Sequence, residues 1–373
     1  MKALRELDGT LQFRGLGGNR MLAEGLDMDY QLTDLAVVGF AEVLPKLREF
    51  FRVADIASNS FQTDRPDAVV LVDFPGFNWH IAKRAKQLGI PVFYYLPPQL
   101  WAWGSWRLRK MKRYVDYVLC NLPFEQTWYS ERDMPCEFVG HPFYDEVAER
   151  KLDSHFLSKW SQSAGKKVAV LPGSRGHEVK NIWPMQVEAI KRLAAKHPDT
   201  QFLVACLKDQ HCLWCRNHLS DNELHELPIE FFVQKTSEII ELSDCALAKS
   251  GSVSLELMAR ETPSVIVYHV SRSLNWIARR LTDLKTISLP NMIAGEAVMP
   301  EYIAVGKSTE PTIESATNDI DHLLSDTHYR QRQQLRLRKL GQEYALPGAS
   351  KNAARAIFQQ LSWPIDDKLR RAG

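Results

Sequence analysis

Short β-type apolar runs alternate with segments of helical period along almost the whole chain, and this alternation limits the fold more than any single motif does. Strand and helix in steady succession is the pattern of βαβ units, because parallel strands need a crossover, usually a helix, to return the chain to the same end of the sheet. In the first half the runs expected as strands are LQFRG (11–15), AVVLVD (68–73), PVFYYL (91–96), YVLC (117–120) and CEFVG (136–140). In the second half they are KVAVLPG (167–173), QFLVAC (201–206), IEFFV (229–233), CALAKSG (245–251), SVIVYHV (264–270) and a short TISL (286–289), with a polar helical stretch over 311–362.

A chain of 373 residues, 45% of them hydrophobic, is too long for one compact core. The polar, strandless stretch KLDSHFLSKWSQSAGKK (151–167) marks the expected joint. The predicted fold class is therefore α/β, with two doubly wound parallel-sheet domains over 1–155 and 165–340 facing across a cleft, and a helical segment over 341–373. Ligands of such domains sit at the carboxyl ends of the strands, where the chemistry is to be sought.

Lys plus Arg (47) and Asp plus Glu (45) nearly cancel to a formal +2, so the total charge gives no field for attracting nucleic acid. Six cysteines without small-scaffold spacing favour a reducing, cytoplasmic compartment. QHCLWC, with His211, Cys212 and Cys215, lacks a second ligand pair and falls in a helical segment; DMDY (Asp27, Asp29) follows no strong strand. Neither is read as a metal site, and no cofactor is expected. The sequence has no apolar run of the ~18 residues needed to span a bilayer, so any membrane contact is expected to be peripheral.

Several strand ends carry residues suited to chemistry. VAVLPGSRGHEV (168–179) runs from a buried strand through Gly173, Ser174 and Arg175 into a helix, either as a phosphate site, where glycine lets the backbone approach an anion, serine donates to it and arginine neutralises it, or as a plain strand–helix turn with a surface arginine. AKSGSVSLELMARETPSVIVY (248–268) repeats the theme, with Ser250, Gly251 and Ser252 before a short helix whose Glu256 either accepts from ribose hydroxyls or simply favours the helix dipole. In SLPNMIAGE (288–296), Asn291 either donates to a diphosphate or forms a turn. VVLVDFPGFN (69–78) ends a buried strand on Asp73, which is either a turn and capping residue or a general base. QLWAWGSWRLRKMKR (99–113) sets Trp101, Trp103 and Trp106 beside Arg107, Arg109, Lys110, Lys112 and Arg113, which is either a mixture suited to a bilayer interface or an acyl-phosphate ligand or a solvated basic face with core tryptophans. LAVVGFAEVLPKLREFF (35–51) is either core or a surface for acyl chains.

The loops LPGSRG, SGSVSLE and SLPNMIAG in this order, after LAVVGFAEVL, DFPGFN and LPPQLWAWGSWR, resemble those of the lipid-A-disaccharide synthase family over nearly the whole chain. That resemblance implies two Rossmann-like domains of the GT-B type, with the C-terminal helix packing back on the first. It implies transfer of a diacylated glucosamine from UDP to the 6-hydroxyl of diacylglucosamine 1-phosphate, inverting and without metal, at the inner face of the cytoplasmic membrane. Gly173, Ser174 and Arg175 would hold the diphosphate, Ser250, Gly251, Ser252 and Glu256 the nucleotide, and Asn291 would assist, while Asp73 would take the proton of the acceptor hydroxyl and Arg175 would stabilise departing UDP. The family opens with a strand and a Ser-Gly-Asp/Glu-type loop that do not precede MKALRELDG here, so the first strand of the N-terminal domain is expected to be missing. Another UDP-sugar glycosyltransferase or epimerase, or a non-catalytic nucleotide- or lipid-binding module, are the competing readings.

Overall fold

A computed structural model of the chain describes residues 1–32, 47–102, 104–282 and 286–363. It divides into two compact units, Met1–Pro142 with Gly348–Gly373, and Phe143–Pro347. Trp103 and residues 35–46 of the apolar segment lie outside the described residues, whereas Leu47–Thr63 is a helix.

In the first unit β1 (Arg14–Gly17) and β2 (Asp27–Gln31) form a parallel pair, across which Arg14 reaches Asp29 at 2.8 Å. The two carboxylates of DMDY are thus placed around an arginine. A second, wholly parallel sheet contains β3 (Val69–Val72), β4 (Val92–Tyr95), β5 (Tyr117–Cys120) and β6 (Cys136–Phe138) in that spatial order. Side chains of a strand alternate between faces, so this sheet has two cores. Leu71, Tyr94 and Val118 pack with Phe77, Ile81 and Ala82 of the helix Pro75–Gln87. Phe93 and Leu119 on the other face receive Ala353, Ala356 and Ile357 of the helix Ala349–Gln360.

The second unit holds β7 (Lys167–Leu171), β8 (Gln201–Cys206), β9 (Ile229–Val233), β10 (Cys245–Lys249), β11 (Ser264–Val270) and β12 (Glu301–Val305), all parallel and ordered β12-β11-β10-β7-β8-β9. Winding runs outward from β7 through β8 and β9, then restarts at β10 in the opposite direction. The switch between β7 and β10 opens a crevice at their carboxyl ends. Both faces are covered: Val168, Val170, Leu247 and Val265 lie in one core, Ala169, Leu171, Ala246 and Ile266 in the other.

Some elements differ from expectation. TISL is not a strand: Leu289–Ala294 is a helix with Ser288 at its N-cap and Pro290 in its first turn, a position where proline's missing N–H costs nothing. The sixth strand is instead EYIAV, β12, and the first strand begins at Arg14 rather than Leu11. Within 151–167 the helix Ser154–Ser161 brings Phe156 and Trp160 against the second unit's core. Cys212 and Cys215 sit on the helix Asp209–Asp221, with Cys215 buried beside Cys206.

Ile357 is 4% exposed in the core beneath the last helix. Ile357→Ala is expected to destabilise the first unit by about 2–5 kcal/mol, read as an earlier transition in urea denaturation.

Candidate active site

The strand ends at the switch point carry two of the predicted loops. After β7 the chain turns at Gly173, whose φ of +124 suits glycine and where an added Cβ would stand 3.0 Å from Glu178 Cβ. Arg175 is the N-cap of the helix Gly176–Lys196, and its side chain is 58% exposed. After β10 come Ser250, Gly251 and Ser252, the last being the N-cap of Val253–Ala259.

A buried ion pair joins these loops. Lys249 Nζ donates to Glu178 Oε1 at 2.7 Å, with side-chain exposures of 12% and 8%. The other oxygen of Glu178 accepts from the backbone N–H groups of Ser174 (3.1 Å) and Arg175 (3.2 Å). Burial by itself raises the pKa of Glu178, but Lys249 and these N–H groups outweigh it and hold the carboxylate below its ordinary value. Lys249 also lies 5.2 Å from the centroid of the Tyr268 ring. Above this buried pair Arg175, 3.7 Å from Glu178 Oε1, is exposed beside the exposed backbone at the N-terminus of a long helix, where an anion is favoured by N–H groups and dipole together.

Neither Lys249 nor Glu178 was singled out from sequence. A glutamate three residues after an N-cap is a readable capping signal, but its lysine partner is 71 residues away and only the β7–β10 pairing brings it near.

The remaining predicted residues divide. Gly251 and Ser252 stay at the loop surface, whereas the Ser250 hydroxyl donates to Ile287 O at 2.9 Å. Glu256 is 3% exposed and pairs with Arg260 at 3.0 Å. Asn291 is fully buried: its amide N donates to Met299 O and Glu301, and its oxygen accepts from Val298 N and Met299 N. Every donor and acceptor of that side chain is committed, so in this conformation it orders the 298–301 turn and has nothing to offer a diphosphate.

Asp73 lies in the first unit at the carboxyl end of β3, exposed, with φ of +47, and Phe74 follows with φ of +42. Two successive non-glycine residues in the left-handed region cost roughly 1–3 kcal/mol each and persist only where the surroundings impose them. Here Asn78 Nδ2 donates to Asp73 O (2.6 Å) and Val72 O (3.2 Å), and Tyr94 OH donates to Asp73 O (2.7 Å). The N-cap of the following helix is Phe74, so capping does not account for an aspartate at this position.

The tryptophan-rich stretch splits between support and surface. Trp101 Nε1 donates to Glu125 Oε1 at 2.9 Å, and Glu125 Oε2 accepts from Asn121 N and Leu122 N. Trp106 is 66% exposed with Arg107 stacked at 5.1 Å, and Arg109, Lys110, Lys112 and Arg113 are exposed on the helix Leu108–Tyr114.

The lipid-A-disaccharide synthetase family model matches residues 1–357. Lipid-A-disaccharide synthase of Anaeromyxobacter sp. (strain K) is 33% identical over 344 residues, 92% of this chain and 88% of that protein. Among solved structures, S. aureus MnaA with UDP superposes with a TM-score of 0.61 at 13% identity, covering 95% of this chain and 99% of that one. The UDP-GlcNAc 2-epimerase of Neisseria meningitidis bound to UDP-GlcNAc gives 0.58 at 13% identity, covering 94% and 100%. At such identities these structures share the fold, that of the GT-B glycosyltransferases and related epimerases.

Two outcomes follow from the geometry. Lys249→Met leaves the Glu178 carboxylate buried without its closest cation and is expected to cost about 3–5 kcal/mol of stability, measured by chemical denaturation. Burial pushes the Glu125 pKa up to about 7. The folded state therefore binds a proton that the unfolded state releases near the ordinary value, and stability present at low pH is lost as pH rises toward 7. Glu125→Gln is expected to flatten that part of the pH profile of thermal unfolding.

Proposed function

The chain belongs to the lipid-A-disaccharide synthetase family, and on that premise we propose how its residues divide the work of glycosyl transfer. The protein is a hexosyltransferase of lipid A biosynthesis that uses a UDP-sugar donor and a sugar phosphate acceptor. In our reading the donor is UDP-diacylglucosamine and the acceptor diacylglucosamine 1-phosphate.

The second unit holds the donor's diphosphate. Arg175, Lys249 and the N–H groups opening the helix Gly176–Lys196 face an anion at the switch point, and Ser174, Gly173, Gly251 and Ser252 let it approach the backbone. Glu178 keeps both loops in register through its bonds to Ser174 N, Arg175 N and Lys249. Glu256 and Ser250, tied to Arg260 and Ile287 O, take a supporting part around the nucleotide.

The first unit supplies the base. Asp73 accepts the proton of the acceptor 6-hydroxyl as that oxygen bonds to the anomeric carbon; the bond from that carbon to UDP breaks with inversion, and Arg175 and Lys249 stabilise the departing diphosphate. The observation that carries this assignment is the paired left-handed conformation at Asp73 and Phe74, held by Asn78 and Tyr94. Strain of this kind in an exposed strand-end carboxylate is expected where the group must be aimed.

Among the described residues no helix is long and apolar enough to cross a membrane. We read the exposed Trp106–Arg107 pair and the basic helix after it as a peripheral contact with the cytoplasmic face of the membrane, where rings and cations suit headgroup depth.

Asp73→Asn is expected to lower kcat by about 10²–10⁴-fold while calorimetric UDP affinity stays at the wild-type value. Arg175→Gln should do the reverse first, weakening UDP binding by about tenfold with an unchanged melting temperature. Wild-type turnover in Asp73→Asn would refute the base assignment.

A further inference from the structure

The helix Arg272–Leu281 takes no part in the chemistry above, yet it exposes an unusual share of large apolar surface. Leu274 is 45% exposed, Trp276 58% and Ile277 41%, all within one helix of ten residues. Single exposed apolar residues are ordinary, but three so close together mark a contact surface. Leu274 and Ile277 are three residues apart and therefore neighbours on one face.

Charge identifies the contact. The helix sequence carries Arg272, Arg279 and Arg280 and no carboxylate, and the Arg280 guanidinium lies 3.7 Å from the Trp276 ring centroid. An apolar stripe flanked by cations and an Arg–Trp stack is complementary to an anionic headgroup layer over acyl chains. A second copy of the chain fits poorly, because a self-complementary interface would set these acid-free, basic faces against each other.

Its root is well defined. Ser271 caps the helix by accepting from Leu274 N at 3.1 Å. Arg272 lies against Gly306, so closely that an added Cβ there would stand 2.9 Å from Arg272 Cγ. The helix leaves the carboxyl end of β11, the strand next to β10, so it rises from the same edge of the sheet as the 173–176 and 250–252 loops.

We propose that the Arg272–Leu281 helix docks the nucleotide-binding unit on an anionic phospholipid bilayer, with Leu274 and Ile277 at acyl depth and Arg272 and Arg280 among the phosphates. The proposal rests on the reading that both substrates are lipids held in a leaflet. It adds that the donor-binding unit has a membrane contact of its own, beside the loops that receive the diphosphate.

Vesicle co-sedimentation tests it, using phosphatidylcholine vesicles with and without phosphatidylglycerol. The wild-type protein should prefer the anionic vesicles, and Leu274→Ser/Ile277→Ser should lower the partition coefficient about tenfold or more. Arg272→Gln/Arg280→Gln should lose much of the preference for phosphatidylglycerol and its salt dependence. Both double variants should keep the wild-type melting temperature and turn over short-chain, water-soluble substrates at the wild-type rate, while slowing on substrates embedded in vesicles. Vesicle binding equal to wild type in the Leu274/Ile277 variant overturns the proposal, as does a shift in its elution volume showing that a second copy covers this face. Asp73→Asn separates the two readings, since it should bind vesicles normally whether or not Asp73 is the base.

Discussion

The second unit depends on one buried ion pair at the place where its sheet reverses direction. Parallel strands wound outward from β7 and again from β10 leave their adjoining carboxyl ends uncovered by any crossover helix, and the loops there have few neighbours to define them. Glu178 and Lys249 supply that definition, one carboxylate gathering two backbone N–H groups of one loop and the ammonium at the root of the other. A carboxylate at a helix N-terminus also occupies the kind of position a diphosphate favours. The pair therefore ties the two loops together, and Arg175, whose guanidinium lies 3.7 Å from the same Glu178 carboxylate, remains largely exposed above it.

The first unit solves a different problem. The base proposed at Asp73 must be held in a set direction at the end of a strand, yet its side chain is exposed. The backbone is fixed instead: Asn78 and Tyr94 both grip the Asp73 carbonyl, and the left-handed turn at 73 and 74 sets where the carboxylate leaves the chain. Tyr94 is fully buried in the sheet's core, so the aim of the carboxylate is coupled to packing beneath it. Glu125 treats the tryptophan-rich loop similarly, with Trp101 tied inward while Trp106 faces solvent.

Much of this was legible in the sequence because it is local. The α/β class, the alternation of buried strands and helices, and the glycine-, serine- and arginine-bearing turns after β7 and β10 all follow from residue spacing that a chain segment carries within itself. The weakest local signals failed first: TISL has β-type residues, but Ser288 and Pro290 start a helix, and the alternating EYIAV that completes the sheet went unread. For Asn291 the sequence leaves a diphosphate contact and a turn equally open, and only the fold shows its amide turned inward to the 298–301 turn.

What the sequence by itself determined, then, is the class of fold, the strand-end position of Asp73, Ser174, Arg175, Gly251 and Ser252, and the family. What tertiary structure alone decided is which of the candidate groups are free to act. Lys249 reaches Glu178 because β7 and β10 pair, Asn291 and Ser250 spend their polar atoms on neighbours, and Asp73 is strained by residues from another strand and the following helix. Hydrogen bonds and ion pairs saturate, so a side chain's availability depends on partners that sequence spacing does not reveal.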